Sequence, residues 1–120
     1  MDMNNDTKRL VTEEEIQAII KDVTDRLAEK GARQMEVLPV TEQTTVADYF
    51  IVCTGTSNTH LRTLSQEVEQ IMETKYNLRA HHIEGYETAQ WILVDYVFMV
   101  VHLFRQDVRD FYSLERLWKA

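Results

Sequence analysis

Tyr49-Phe50-Ile51-Val52-Cys53-Thr54-Gly55-Thr56-Ser57-Asn58 is the stretch that decides the fold of this 120-residue chain. Its first six residues favour extended backbone and are apolar on both faces, where a half-exposed strand would alternate. Such a run belongs inside a sheet that is covered on both sides. Gly55-Thr56-Ser57-Asn58 then makes a turn, and beyond it Leu61, Leu64, Val68, Ile71 and Met72 recur at helical spacing, which predicts a helix over about Thr59 to Lys75. A buried strand turning tightly into a helix is a building block of an α/β fold.

Working outward, Thr12-Glu13-Glu14-Glu15 has the form of a capping box, in which threonine oxygen and third-residue carboxylate satisfy orphaned backbone donors. Val11 and Ile16 occupy the positions of a hydrophobic staple. Ile16, Ile19, Ile20, Val23 and Leu27 share one helical face, and Gly31 supplies a left-handed stop, so a first helix is expected over Glu13 to Lys30. A short strand over about Met35 to Val40 carries the only proline, Pro39, which puts it at an edge or an end. Downstream, strands are expected over about Ala80 to Glu84, Gln90 to Val94 and Phe98 to Phe104. A single strand from Trp91 to Phe104 would far exceed the usual ~5–6 residues, so a hairpin is expected near Asp95-Tyr96-Val97, without the glycine or asparagine such turns favour. Asp107 is expected to cap a last helix running through Phe111-Tyr112 toward Leu114-Glu115-Arg116-Leu117-Trp118. The order α-β-β-α-β-β-β-α gives an α/β protein: a single domain with a mixed sheet of about five strands packed by helices. Residues 1–11 read as a polar leader and 12–120 as the domain.

Thirteen Lys and Arg against twenty Asp and Glu leave a formal net charge of −7, which disfavours indiscriminate binding to nucleic acid or to anionic membrane and favours a basic partner. The single cysteine, Cys53, cannot form an intramolecular disulfide, and the polar start MDMNNDTKRL has no signal-peptide character, so a reducing, cytoplasmic setting is the expectation. The stretch Trp91 to Phe104 is interrupted by Asp95 and His102 and falls short of the ~20 residues a membrane-spanning helix needs. Neither membrane nor sequence-specific nucleic acid is expected as a partner.

Few residues suggest chemistry. The Thr54-to-Ser57 turn could hold an anion at a helix start, yet it lacks a P-loop lysine and the further glycines of a dinucleotide fingerprint, so helix capping is the stronger reading. Asp95 has no acidic partner two residues away with which to hold a catalytic metal. Cys53, inside an apolar strand, reads as structural. His81 and His82 are adjacent and point to opposite faces of a strand, which disfavours a shared metal. His102 reads as a neutral, hydrogen-bonded histidine at the sheet surface. Glu84, Tyr86, Trp91, Asp95 and Tyr96 are more informative: exposed aromatic residues beside carboxylates suit a partner bearing Arg or Lys. Leu114, Leu117 and Trp118 form a further apolar patch. No cofactor or metal is expected.

Five segments carry a resemblance: Ala47-Asp48-Tyr49-Phe50-Ile51-Val52-Cys53-Thr54-Gly55-Thr56-Ser57, Glu84-Gly85, Trp91-Ile92-Leu93-Val94-Asp95-Tyr96, Val100-Val101-His102-Leu103-Phe104 and Arg109-Asp110-Phe111-Tyr112-Ser113-Leu114-Glu115-Arg116-Leu117-Trp118. In order and spacing they resemble the Iojap family of ribosomal silencing factors. The resemblance implies a nucleotidyltransferase-like fold without its catalytic carboxylates, and a binder in place of an enzyme. It further implies attachment to the large ribosomal subunit through large-subunit ribosomal protein fourteen, blocking the small subunit and repressing translation, and for organellar members a role in subunit maturation. The contact region it suggests is Glu84, Trp91, Asp95, Tyr96 and His102. Val97-Phe98 stands where the family usually has Gly-Asp, which alters the hairpin and removes an acid, and Ser113 replaces a frequent aspartate. Two rival readings are a metal-dependent nucleotide-handling transferase using the Thr54-to-Asn58 turn and a homodimeric module paired through its hairpin strand.

Overall fold

The computed structural model describes residues 11–42 and 47–112, with side chains described as far as Arg109. Residues 1–10 of the expected leader, and the expected helix continuation and apolar patch over Leu114 to Trp118, lie outside the described residues. The elements are α1 (Glu13–Glu29), β1 (Arg33–Pro39), β2 (Tyr49–Gly55), α2 (Asn58–Tyr76), β3 (His82–Glu84), β4 (Trp91–Asp95), β5 (Met99–Arg105) and α3 (Gln106–Tyr112). They build one five-stranded sheet in the order β1-β2-β5-β4-β3. β2 and β5 run parallel and every other pair is antiparallel, so the sheet is mixed as expected. Pro39 ends β1, an edge strand, where its missing donor costs no ladder bond.

Strand alternation sorts the sheet into two faces. Ile51, Cys53, Ile92, Val94, Val101 and Leu103 point to one face and are buried under Ile19, Val23 and Leu27 of α1 and Leu61, Leu64, Val68 and Met72 of α2. Thr12 caps α1, its Oγ1 accepting from the Glu15 N–H at 3.1 Å, and Ser57 caps α2 through the His60 N–H at 3.0 Å. His60 then joins the two helices. Its Nδ1 accepts from the Thr56 N–H at 2.9 Å, which leaves the ring proton on Nε2 to be donated to the Lys30 carbonyl at 2.7 Å. Gly55 makes room for this ring, since a Cβ there would lie 3.0 Å from His60 Nδ1. Burial pushes the Cys53 thiol up to about 12, so the thiolate is suppressed, as a structural cysteine requires.

Among the described residues, the opposite face is covered only in part. Leu38, Val40, Ala47, Phe50, Val52, Val100 and Phe104 form a second cluster, with Val108 of α3 packed against it. Arg109 pins α3 to β1. It is 3% exposed and donates from Nη1 to the Gln34 carbonyl at 2.7 Å and from Nη2 to Glu36 at 3.3 Å. The expected cap at Asp107 needs correction: α3 starts at Gln106, directly after β5, which puts Asp107 inside the first turn. There it pairs with Arg105 at 2.8 Å.

The expected hairpin joins β4 to β5, and its tip departs from ordinary turn chemistry. Asp95 Oδ1 accepts from the Val97 N–H at 2.7 Å, and the Phe98 N–H donates to the Tyr96 carbonyl at 2.9 Å. Val97 between them has φ +75°, so the tip is a γ-turn of the positive-φ kind, a strained conformation for a β-branched residue. Val97 is 42% exposed and contributes little packing. Val97→Gly is therefore expected to stabilise the fold by about 1 kcal/mol, because relief of strain outweighs the entropy glycine adds to the unfolded chain. Urea denaturation checks this; an unchanged or lower midpoint would contradict the strain.

Candidate docking face

The alternation that sends Ile92 and Val94 under the helices sends Trp91, Leu93 and Asp95 to the other face. Cross-strand register brings further residues there: Glu84 faces Leu93, His82 faces Asp95, and on the inner side Phe104 faces Trp91 and His102 faces Leu93. Trp91, Leu93 and Asp95 are half-buried while Glu84 and His82 are exposed. Among the described residues, α3 packs on the β2 and β5 side of this face, which leaves the β3–β4 half open. A shallow cleft of about 240 Å³ lies there, lined by Glu84, Gly85, Trp91 and Leu93. His82 Nε2 and Glu84 Oε2 are 2.5 Å apart.

Trp91 is held by its inner neighbours. Its ring packs on Phe104 with centroids 4.8 Å apart, and its Nε1–H donates to His102 Nδ1 at 3.2 Å. Accepting at Nδ1 puts the proton of the neutral imidazole on Nε2. His102 is 4% exposed, wedged edge-on against Phe50 at 4.6 Å, and burial pulls its pKa down to about 4. It is thus neutral, as expected, but buried beneath the face and not at its surface. The linkage has a definite sign. Between about pH 6.5 and 4 the unfolded chain binds a proton that the folded chain refuses, so His102 contributes full stability above 6.5 and loses it as pH falls through that window. The loss amounts to about 3 kcal/mol. Urea midpoints measured from pH 7 down to 4 should fall less steeply in His102→Phe than in the unaltered chain; parallel curves would contradict a buried neutral histidine.

Of the five sequence-derived contact residues, the structure brings Glu84, Trp91 and Asp95 onto one surface. His102 supports them from below. Tyr96 is a correction: the expected exposed tyrosine is fully buried, with the helix-covered cluster. It continues the inward parity of Ile92 and Val94, a signal already present in the alternation. Leu93 was missed, although its place between Trp91 and Asp95 gives it the same outward parity. Tyr86 lies apart, its hydroxyl accepting from Gln66 of α2 at 2.5 Å.

The strand-to-helix turn is occupied by its own chain. A cavity of about 450 Å³ opens beside Arg33, Thr54, Thr56 and Arg105, but the Thr56 N–H is bound by His60 and the His60 N–H by Ser57. Arg105 spans Asn58 Oδ1 at 2.8 Å and the Asp107 carboxylate. Capping is therefore what these groups do. Among the described residues no group of three or more His, Cys, Asp or Glu could hold a metal ion, and no helix is long and apolar enough to cross a membrane.

Fold and surface together define a small α/β domain with one sheet face sealed by helices and an acidic, aromatic half-face that the described residues leave open. The sequence model of the family described as ribosomal silencing factor during starvation, RsfS, matches residues 13–120. The chain belongs to this RsfS family, and the resemblance read in its motifs is borne out. The ribosomal silencing factor RsfS of Halalkalibacterium halodurans is 32% identical over 102 residues, covering 85% of this chain and 86% of that protein. The Mus musculus protein named mitochondrial assembly of ribosomal large subunit protein 1 is 32% identical over 97 residues, covering 77% of this chain and 41% of that protein. A crystal structure of a Chromobacterium violaceum protein superposes with a TM-score of 0.81 at 32% identity, covering 87% of this chain and 86% of the other.

Proposed function

We propose that the chain represses translation as a steric block: the β3–β4 face docks on a basic protein of the large ribosomal subunit, and the bulk of the domain obstructs the small subunit. The observation that carries this reading is the patch of Glu84, Trp91, Leu93 and Asp95, which the described residues leave uncovered, an aromatic anchor framed by carboxylates on a chain of net charge −7. Large-subunit ribosomal protein fourteen is the partner the family resemblance suggests. The mouse relative's name, which refers to assembly of the large subunit, supports that half of the ribosome as the target. No bond is made or broken in this mechanism, so the protein acts as a binder and not as an enzyme.

The test is a titration of the purified protein into separated large and small subunits, resolved on a sucrose gradient. Joined ribosomes are expected to decline in proportion to protein bound on the large subunit. Undiminished joining at saturating protein would overturn the proposal.

A further inference from the structure

The loop that joins β3 to β4, residues 85–90, runs from the docking face to the helix side of the sheet. Gly85 lines the cleft at its start, and Ala89 near its end is fully buried in the helix-covered cluster. The Ala89 N–H donates to the Gly85 carbonyl at 2.9 Å, which closes an α-turn, and Ala89 has φ +53°, a left-handed conformation that alanine disfavours. A turn of this kind persists only when its surroundings hold it. The hold comes from α2. Arg62 donates from Nε to the Tyr86 carbonyl at 3.0 Å and from Nη2 to the Glu87 carbonyl at 2.5 Å, so one guanidinium fork takes two successive carbonyls of the turn. The same guanidinium lies 5.9 Å from the centroid of the Tyr86 ring, whose hydroxyl accepts from Gln66.

From these contacts we infer that Arg62 is a positioning residue for the docking face: from the helix side of the sheet it fixes where Glu84 and Trp91 stand. The path is short. Gly85 passes so close to β4 that a Cβ on it would fall 2.1 Å from the Trp91 carbonyl oxygen, so the turn cannot shift without moving Glu84, its neighbour in the chain, or the Trp91 backbone. Without the fork, residues 85–90 sample other conformations, and only the fraction that keeps Glu84 and Trp91 in place can dock, which lowers the apparent affinity by that fraction. The effect on affinity rests on the docking reading; the ordering of the cleft is measurable in the free chain.

The test compares three variants of the full chain. Arg62→Gln removes the fork and one positive charge, and Arg62→Lys keeps the charge but cannot span both carbonyls. Arg26→Gln removes the same charge from a guanidinium that ties α1 to Glu67 of α2 at 2.8 Å. In the free chain, NMR is expected to show amide exchange at Ala89 faster by about tenfold and a displaced Trp91 indole N–H resonance in both Arg62 variants, and neither change in Arg26→Gln. Binding to isolated large subunits, measured by co-sedimentation, should weaken about fivefold in both Arg62 variants and stay within about twofold in Arg26→Gln. Charge alone would make Arg62→Gln bind a basic partner more tightly, so the sign of the change separates ordering from electrostatics. Unchanged exchange at Ala89 or an unmoved indole resonance would overturn the inference, as would full affinity in the Arg62 variants where Trp91→Ala weakens binding. Full affinity in Trp91→Ala would instead remove the docking reading, and the free-chain measurements would still decide whether Arg62 orders the cleft.

Discussion

Trp91→Ala is expected to weaken binding to isolated large ribosomal subunits at least 30-fold, the equivalent of about 2 kcal/mol. Trp91 lines the cleft on this half-face, and its ring is already oriented by Phe104 and by the bond to His102, so little side-chain freedom remains to be lost on docking. Removing the ring also removes internal contacts, so a second variant separates docking from folding. Glu84→Lys changes an exposed residue, leaves the core intact, and should weaken binding about tenfold by setting a cation against a basic partner. Lys21→Ala, in the exposed Lys21–Asp25 pair of α1 on the opposite side of the sheet, should change affinity less than about twofold. Equilibrium binding by co-sedimentation checks all three. Equal affinities for Trp91→Ala and Lys21→Ala would remove the assignment of the face.

Gly85→Ala is expected to destabilise the fold by about 3 kcal/mol or more and to lower its melting temperature by on the order of 10 °C. Gly85 has φ +79°, and a Cβ there would fall 2.1 Å from the Trp91 carbonyl oxygen and 3.2 Å from its carbon. Both obstacles are backbone, so no rotamer change relieves the clash; the loop after β3 must move away from β4, or β4 must shift and take Trp91 with it. The same substitution should therefore disturb the cleft at Trp91 as well as the stability. Differential scanning calorimetry with a parallel binding assay checks the pair, and a melting temperature within 2 °C of the unaltered chain would contradict the close approach (about 0.5 kcal/mol on this scale).

Much of this was legible because the chemistry is local. Thr12 and Ser57 announce helix starts through their own hydroxyls, and the doubly apolar run from Tyr49 to Thr54 forecasts the covered interior strand that β2 is. The face was legible in part, since strict alternation from Trp91 to Asp95 puts an indole and a carboxylate on one side. The same alternation, carried one residue further, assigns Tyr96 to the core. Residue type alone favours the surface for a tyrosine, and parity overrides it here. His102 went astray for a different reason: a polar residue in an apolar run can be either a surface group or a buried acceptor, and only the approach of the Trp91 indole decides. The turn at Val97 could be located from strand length, but not its conformation, because the Asp95 carboxylate and the β4–β5 pairing hold Val97 against its own preference. β3 is shorter than expected because its pairing with β4 ends at His82, although the His81 N–H still reaches the Asp95 carbonyl at 2.8 Å.

The most direct test of the docking face is site-specific photo-crosslinking on isolated large subunits. A photoreactive phenylalanine derivative replaces either Leu93, inside the patch, or Ala18, exposed on α1 across the sheet. The docking account predicts a crosslink from position 93 to large-subunit ribosomal protein fourteen and none from position 18. Crosslinks from position 18 with none from position 93 would contradict it.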